Sequence, residues 1–232
     1  MKLSRYLSLI AGVSLSWSSA VQAFPTITQT IPFGPEIPDY DATLTFNQFN
    51  GNLVDLVSVE VSLELNVDGG ILIIDNDSPN PAHVDAHIGA EGAISSVDVG
   101  LLACPFIPVV GMVTAETIAS FDLDPNIGDG ANDFDPTPPD GAQLNGGAAT
   151  DSDSGFVCST FWAGYVGAGT FDVLANIDQF FDYGAVSGVE IGYTPVVADG
   201  SVTVVYEFVP EPSTLALLAL SGLGLIRRRR TA

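Results

Sequence analysis

Oxygen donors recur at short intervals in one stretch of the chain: Asp122, Asp124, Asn126 and Asp129, with Gly128 among them and Asp133 just beyond. Calcium is a hard ion that takes about six to eight oxygen ligands, and a glycine lets a loop turn sharply around it. The spacing departs from an EF-hand loop. The glycine comes one position late, Pro125 restricts the backbone, and Asp133 stands where a bidentate glutamate is usual. An acid-rich segment also generates such spacing by chance, so two readings stay open: a calcium site, or a solvated acidic loop.

A second candidate is His83-Val-Asp85-Ala-His87. On a strand the three polar side chains share a face, but His83 and His87 lie four residues apart, well over 10 Å at about 3.3 Å per residue. They cannot grip one ion together; only His83 with Asp85 and ligands from elsewhere could. The alternative is a polar solvent-facing strand.

Catalysis is poorly served. Paired carboxylates could hydrolyse a glycoside, but with 28 Asp and Glu in the chain their presence carries no information. No G-x-S-x-G elbow, phosphate-binding Walker loop or H-E-x-x-H occurs. We expect no enzyme, with a secreted glycoside hydrolase as the weaker alternative.

The chain ends carry processing chemistry. Lys2 and Arg5 precede an apolar stretch from Tyr6 to Trp17, and Val21-Gln22-Ala23 offers the small residues that a signal peptidase reads. This predicts a signal peptide over 1–23, export through the Sec translocon and cleavage between Ala23 and Phe24. Near the other end, Pro210-Glu211-Pro212 precedes an apolar run from Ser213 to Ile226 and the cluster Arg227, Arg228, Arg229 and Arg230. As a helix the run spans about 21 Å against a hydrocarbon core of about 30 Å, a marginal and transient anchor. The arginines orient it with their own side cytoplasmic, leaving everything upstream of Pro210 outside the inner membrane.

This V-P-E-P-S-T, apolar run and arginine cluster resembles the PEP-CTERM sorting signal of Gram-negative surface proteins. The resemblance covers Val209 to Ala232 and implies recognition by an exosortase, a membrane transpeptidase-like protease that cuts near Pro-Glu-Pro. It also implies a host that assembles exopolysaccharide, hence a cell-surface or extracellular-matrix destination. Upstream, the run from Ala42 to Leu65 is similar to the opening of the choice-of-anchor type E domain through Gln48, Phe49, Asn50, Leu53, Leu56 and Val59, with Asn50 where an aspartate is expected.

Charge narrows the partners. All six Lys and Arg lie in the two end segments, so residues 24 to 210 contain none, whereas the acids run from Glu36 to Glu211. A polyanion without basic side chains cannot neutralise phosphates, which excludes nucleic acid and anionic headgroups as partners. Its self-repulsion calls for salt, divalent metal or protonation. The two cysteines, Cys104 and Cys158, would sit in an oxidising compartment; a disulfide is the default and two buried thiols the alternative.

The elements that must position these groups are strands. From Val57 to Val67 every odd residue is apolar, and Val202, Val204, Tyr206 and Phe208 repeat the pattern near the end. Asp68-Gly69-Gly70 followed by Ile71 to Ile74 predicts a hairpin. Further β-like runs are Thr43–Phe49, His83–Ile88, Ile94–Leu102, Ile107–Thr114, Gly155–Tyr165 and Val186–Tyr193, with a short helix possible within Phe171–Tyr183. Residues 122–155, rich in Asp, Gly and Pro, predict a long loop. The expected architecture is an all-β, β-sandwich-like exported domain over 24–209, between the signal peptide and a sorting signal over 210–232 with a short transmembrane segment at 213–226. Phe161, Trp162 and Tyr165 could stack on sugars or serve the core. The expected function is that of an exosortase-processed matrix protein associated with exopolysaccharide; the alternative is a calcium-dependent carbohydrate-binding adhesin.

Overall fold

The computed structural model describes residues 24–126, 134 and 137–210. Its framework follows from the alternation in β3 (Leu56–Asp68), where Val59, Val61, Leu63 and Leu65 are fully buried while the residues between them face outward. β3 lies in a four-stranded antiparallel sheet ordered β1-β13-β3-β10, with β1 at Thr26–Glu36, β10 at Ala149–Phe156 and β13 at Val197–Phe208. A second sheet, ordered β2-β11-β5-β8, contains β2 (Tyr40–Asn47), β5 (Ala82–Ser95), β8 (Val113–Leu123) and β11 (Thr170–Asp182). Val84, Ala86 and Ile88 of β5 and Phe171, Val173, Ala175 and Ile177 of β11 complete the core with Val202, Val204 and Tyr206 of β13. This is an all-β, sandwich-like arrangement.

Both lateral seams of the sandwich are closed by side chains. On one side Gln29 of β1 exchanges bonds with Asn47 of β2: its Nε2 donates to the Asn47 carbonyl at 2.8 Å and its Oε1 accepts from the Asn47 N–H at 2.9 Å. On the other, Asp151 and Asp153 of β10 accept from backbone N–H groups at the edge of the second sheet, Thr114 at 3.1 Å and Gly111 at 2.6 Å.

Several expectations are corrected. Asp68-Gly69-Gly70 makes no hairpin, because β13 and β10 already occupy both edges of β3. The two glycines, at φ 75° and 80°, instead turn the chain out of the sheet. The apolar run becomes β4 (Ile71–Asn76) in a separate three-stranded sheet between β12 (Val189–Thr194) and β9 (Gly141–Asn145). The segment 122–155 is not one loop. Asp122 and Leu123 end β8, while β9 and β10 occupy 141–145 and 149–156. β10 hides its strand character because, as an edge strand, it exposes almost every side chain.

No helix forms within Phe171–Tyr183. That segment is β11, held between β2 and β5, where burial of alternate residues overrides the weak helical stripe. In the run Gly155–Tyr165 the strand stops at Phe156, and Ser159–Tyr165 is a 3₁₀ helix. The run Ile107–Thr114 is interrupted: Ile107–Pro108 forms β7, paired with β6 (Leu102–Ala103) in a small hairpin, and β8 begins at Val113.

Candidate functional site

β1 and β13 are antiparallel neighbours, so the two ends of the domain meet. Thr26 lies opposite Glu207, the Phe208 N–H donates to the Pro25 carbonyl at 3.1 Å, and the Val209 N–H donates to the Asp55 carbonyl at 2.7 Å. Phe24 and Pro210 therefore leave the fold at one pole, and Pro210 follows the end of β13 by two residues. Ala23, Glu211, Pro212 and Arg227 to Arg230 lie outside the described residues, as does the run 213–226. Among the described residues no helix is long and apolar enough to cross a membrane.

The exit is braced by aromatic packing and a covalent bond. Phe49 is buried with its ring 5.3 Å from that of Phe208 and 5.9 Å from that of Tyr206. Gln48 donates to the Gly164 carbonyl at 2.9 Å and accepts from the Gly169 N–H at 3.1 Å. A disulfide joins Cys104 to Cys158, Cα atoms 5.0 Å apart, tying the β6–β7 hairpin to the 3₁₀ helix Ser159–Tyr165. Tyr165 is 0% exposed and donates to the Gly100 carbonyl at 3.1 Å, and burial pushes its hydroxyl pKa up. It offers no face to a sugar. Trp162 and Phe161 are only partly buried against the core, and the Trp162 Nε1–H is held by the Val157 carbonyl at 2.9 Å.

The candidate calcium donors divide between two surroundings. Asp122 projects from β8 on the outer face of the second sheet, its side chain 92% exposed and its Oδ1 2.6 Å from His83 Nδ1. That hydrogen bond, with the charge of Asp122, raises the His83 pKa. His87 pairs separately with Glu116 at 2.9 Å, so the two histidines serve different carboxylates. Asp124 and Asn126 lie beyond the strand. The Asp124 carbonyl accepts from Asn76 Nδ2 at 2.7 Å, and Asn126 Nδ2 donates to Asp77 Oδ1 at 3.1 Å. Asp129 and Asp133 lie outside the described residues, and among the described residues no three His, Cys, Asp or Glu side chains converge to hold a metal.

Asn76 is the organiser that sequence reasoning missed. It is fully buried at the end of β4, donates to the carbonyls of Asn80 and Asp124, and accepts from the Ser78 N–H at 3.1 Å. Its only local signal was a polar residue closing an apolar strand.

On the outer face of the first sheet lies an open trough of about 410 Å³. Glu60, Ser62 and Glu64 of β3 line it with Ser152 and Ser154 of β10 and Thr203 of β13. Register builds it: Ser62 lies between Thr203 and Ser154, and Glu64 faces Ser152. Hydroxyls that donate and accept beside carboxylates that only accept are groups able to bond sugar hydroxyls.

Residues 208–230 match the family model of the PEP-CTERM protein-sorting motif. The chain carries this sorting signal where β13 ends. The motif implies export, a C-terminal membrane-anchoring signal and an exosortase as processing partner. No curated protein matches the chain. Among solved structures it is similar to the infectious bursal disease virus VP2 subviral particle, 13% identical over 95% of this chain and 54% of that one, with a TM-score of 0.14. It is likewise similar to the Gx strain of that virus, 12% identical over 96% and 54%, with a TM-score of 0.12. The chain spans about half the length of those chains.

Proposed function

We propose that this is an exported, exosortase-processed surface or matrix protein of a Gram-negative bacterium, whose polyanionic β-sandwich acts by physical association within an exopolysaccharide layer and not by catalysis. The observation that carries the reading is the PEP-CTERM motif at 208–230, beginning at the last residue of the strand that ends the domain. A signal peptide over 1–23, removed by signal peptidase, and transient anchoring through 213–226 belong to the same reading. So does the choice-of-anchor type E resemblance, whose stretch Ala42–Leu65 supplies most of β2, the buried Phe49 and most of β3. Replacing Pro210-Glu211-Pro212 by alanines in the native host should leave uncut precursor in the inner membrane. Unchanged maturation of that variant would sink the assignment.

The hydroxyl- and carboxylate-lined trough favours a second reading, a carbohydrate-binding adhesin, with calcium dependence if the segment around Asp124 holds the ion. A glycan array probed with and without calcium separates it from a passive matrix protein: calcium-dependent retention supports the adhesin, and no retention supports the matrix protein.

A further inference from the structure

The pole at which the chain leaves the fold has an unusual surface. The 3₁₀ turn Leu53–Asp55 presents Val54, 89% exposed, and is held against the exit by the Val209–Asp55 bond and by Asn52, whose Nδ2 donates to Asp55 Oδ2 at 3.0 Å. The connection after β5 presents Val97, 100% exposed; Ser96 Oγ accepts from the N–H groups of Asp98 and Val99 there. The β6–β7 hairpin presents Phe106, 61% exposed and at φ 80°, next to exposed Ile107. The Cys104–Cys158 disulfide and the 6.0 Å ring contact of Phe106 with Phe161 fix that tip. Contacts connect the three tips to one pole: the Phe49 N–H donates to the Tyr165 carbonyl, Tyr165 reaches Gly100, and the Cys158 N–H donates to the Leu102 carbonyl. Phe24 and Val209, both exposed, lie at the exit itself.

Charge is sparse where these side chains cluster. Segments 24–26, 48–57, 96–109, 157–169 and 207–210 contain, of the 28 acids, only Asp55, Asp98 and Glu207. Each is engaged: Asp55 by Asn52, Asp98 by the Asp172 N–H at 2.9 Å, and Glu207 by Ser58 Oγ at 2.9 Å. The opposite end carries Glu36, Asp39, Asp68 and Asp199.

Chain length decides what covers the pole. Only residues 210–212 separate the end of the domain from the apolar run beginning at Ser213, a reach of about 10 Å at ~3.5 Å per residue. With that run in a bilayer, this pole is held against the membrane surface, and any carboxylate there would be pressed against headgroups. We propose that the pole formed by Val54, Val97 and the Phe106–Ile107 tip is a membrane-docking surface that seats these apolar side chains in the bilayer interface while the tail is anchored. The inference rests on the reading of 213–226 as a membrane segment. Without Lys or Arg the contact is apolar and suits zwitterionic lipid.

The test is lipid photolabelling of the full chain reconstituted in phosphatidylcholine vesicles that carry a diazirine on the acyl chain, with adducts mapped by mass spectrometry after Asp-N or pepsin digestion. The expected result is adducts at 53–54, 97 and 106–107 as well as within 213–226, at least about fivefold above those at the distal Ile37 and Tyr193. Adducts confined to 213–226 would overturn docking while leaving the membrane tail in place. No adducts in 213–226 would remove the tail reading and docking together. Crosslinks between copies from a photoreactive residue placed at Val54 or Phe106, with no lipid adducts at the pole, would assign it to a second copy and also overturn it. The double variant Val54→Asp with Val97→Asp changes two side chains that are 89% and 100% exposed, so it should melt as the parent does in solution yet lose most labelling at Phe106 and Ile107; undiminished labelling would count against the proposal.

Discussion

Asp153 accepts a 2.6 Å hydrogen bond from the backbone N–H of Gly111, joining the edge of one sheet to the margin of the other. Asp151 repeats the device two residues earlier with Thr114. A chain without lysine or arginine in its folded domain has only His83 and His87 as side-chain cations for its carboxylates. Here backbone N–H groups of a sheet margin take that role, and the same bonds blunt the open edge of β8.

Replacing Asp151 and Asp153 by alanine should therefore destabilise the domain by about 1 kcal/mol for each bond lost. Asn variants, which keep an accepting oxygen, should recover much of the loss. Urea denaturation of the four single variants measures this. Equal stability of the Ala and Asn variants would show that the seam bonds contribute nothing.

His83 provides a pH prediction. Its folded pKa lies above the usual 6.5, first through the hydrogen bond to Asp122 and then through that residue's charge. A raised pKa means the folded state binds the proton more tightly, so the pair's contribution is fully present below pH 6.5 and is lost as pH rises through the folded pKa. NMR titration should find His83 titrating above 6.5 and moving back toward it in Asp122→Asn. An unmoved titration would dismiss the pairing.

Reduction of Cys104–Cys158 should cost stability. The bond closes a 54-residue separation, for which chain entropy sets an upper figure of about 4 kcal/mol. Because the bond anchors the β6–β7 hairpin to the 3₁₀ helix, loss of protection on reduction should concentrate in residues 100–108 and 156–165. Hydrogen exchange of oxidised and reduced protein reads this directly, and uniform loss across both sheets would contradict it.

Asn76→Ala should be costlier than its position at a strand end suggests. Its fully buried side chain donates to the carbonyls of Asn80 and Asp124 and accepts from the Ser78 N–H, so alanine would remove all three bonds and leave space in the interior. Loss of these bonds should lower stability by about 1–3 kcal/mol, measured by thermal or urea melts.

What was legible in the sequence was what burial writes into alternation. Val57 to Val67 and Val202 to Phe208 each have one face in the core, and their period of two survives as β3 and β13. β10 was illegible because an edge strand that exposes both faces carries no apolar period. Gly69-Gly70 reads as a turn from sequence, but its destination depends on β13 and β10, whose pairing with β3 spans most of the chain. The sorting segment showed itself through motif and charge. The meeting of Pro25 with Phe208 and the apolar pole around Val54, Val97 and Phe106 could not, because loops far apart in sequence build them.

Carboxylates without cationic partners repel one another, so low ionic strength should weaken the fold, and NaCl, MgCl₂ and CaCl₂ at matched ionic strength should all raise the melting temperature. Asp122 is engaged with His83 on the sheet face, and Asn126 is tied to Asp77, which sets two of the candidate donors in different surroundings. The leading reading therefore expects calcium to match magnesium, with Asp122→Ala and Asp124→Ala responding as the parent does. A calcium site would instead add stabilisation that saturates, about 2.7 kcal/mol at one hundred times its dissociation constant. An increment specific to calcium that Asp124→Ala abolishes would establish the site and move the balance toward the carbohydrate-binding adhesin.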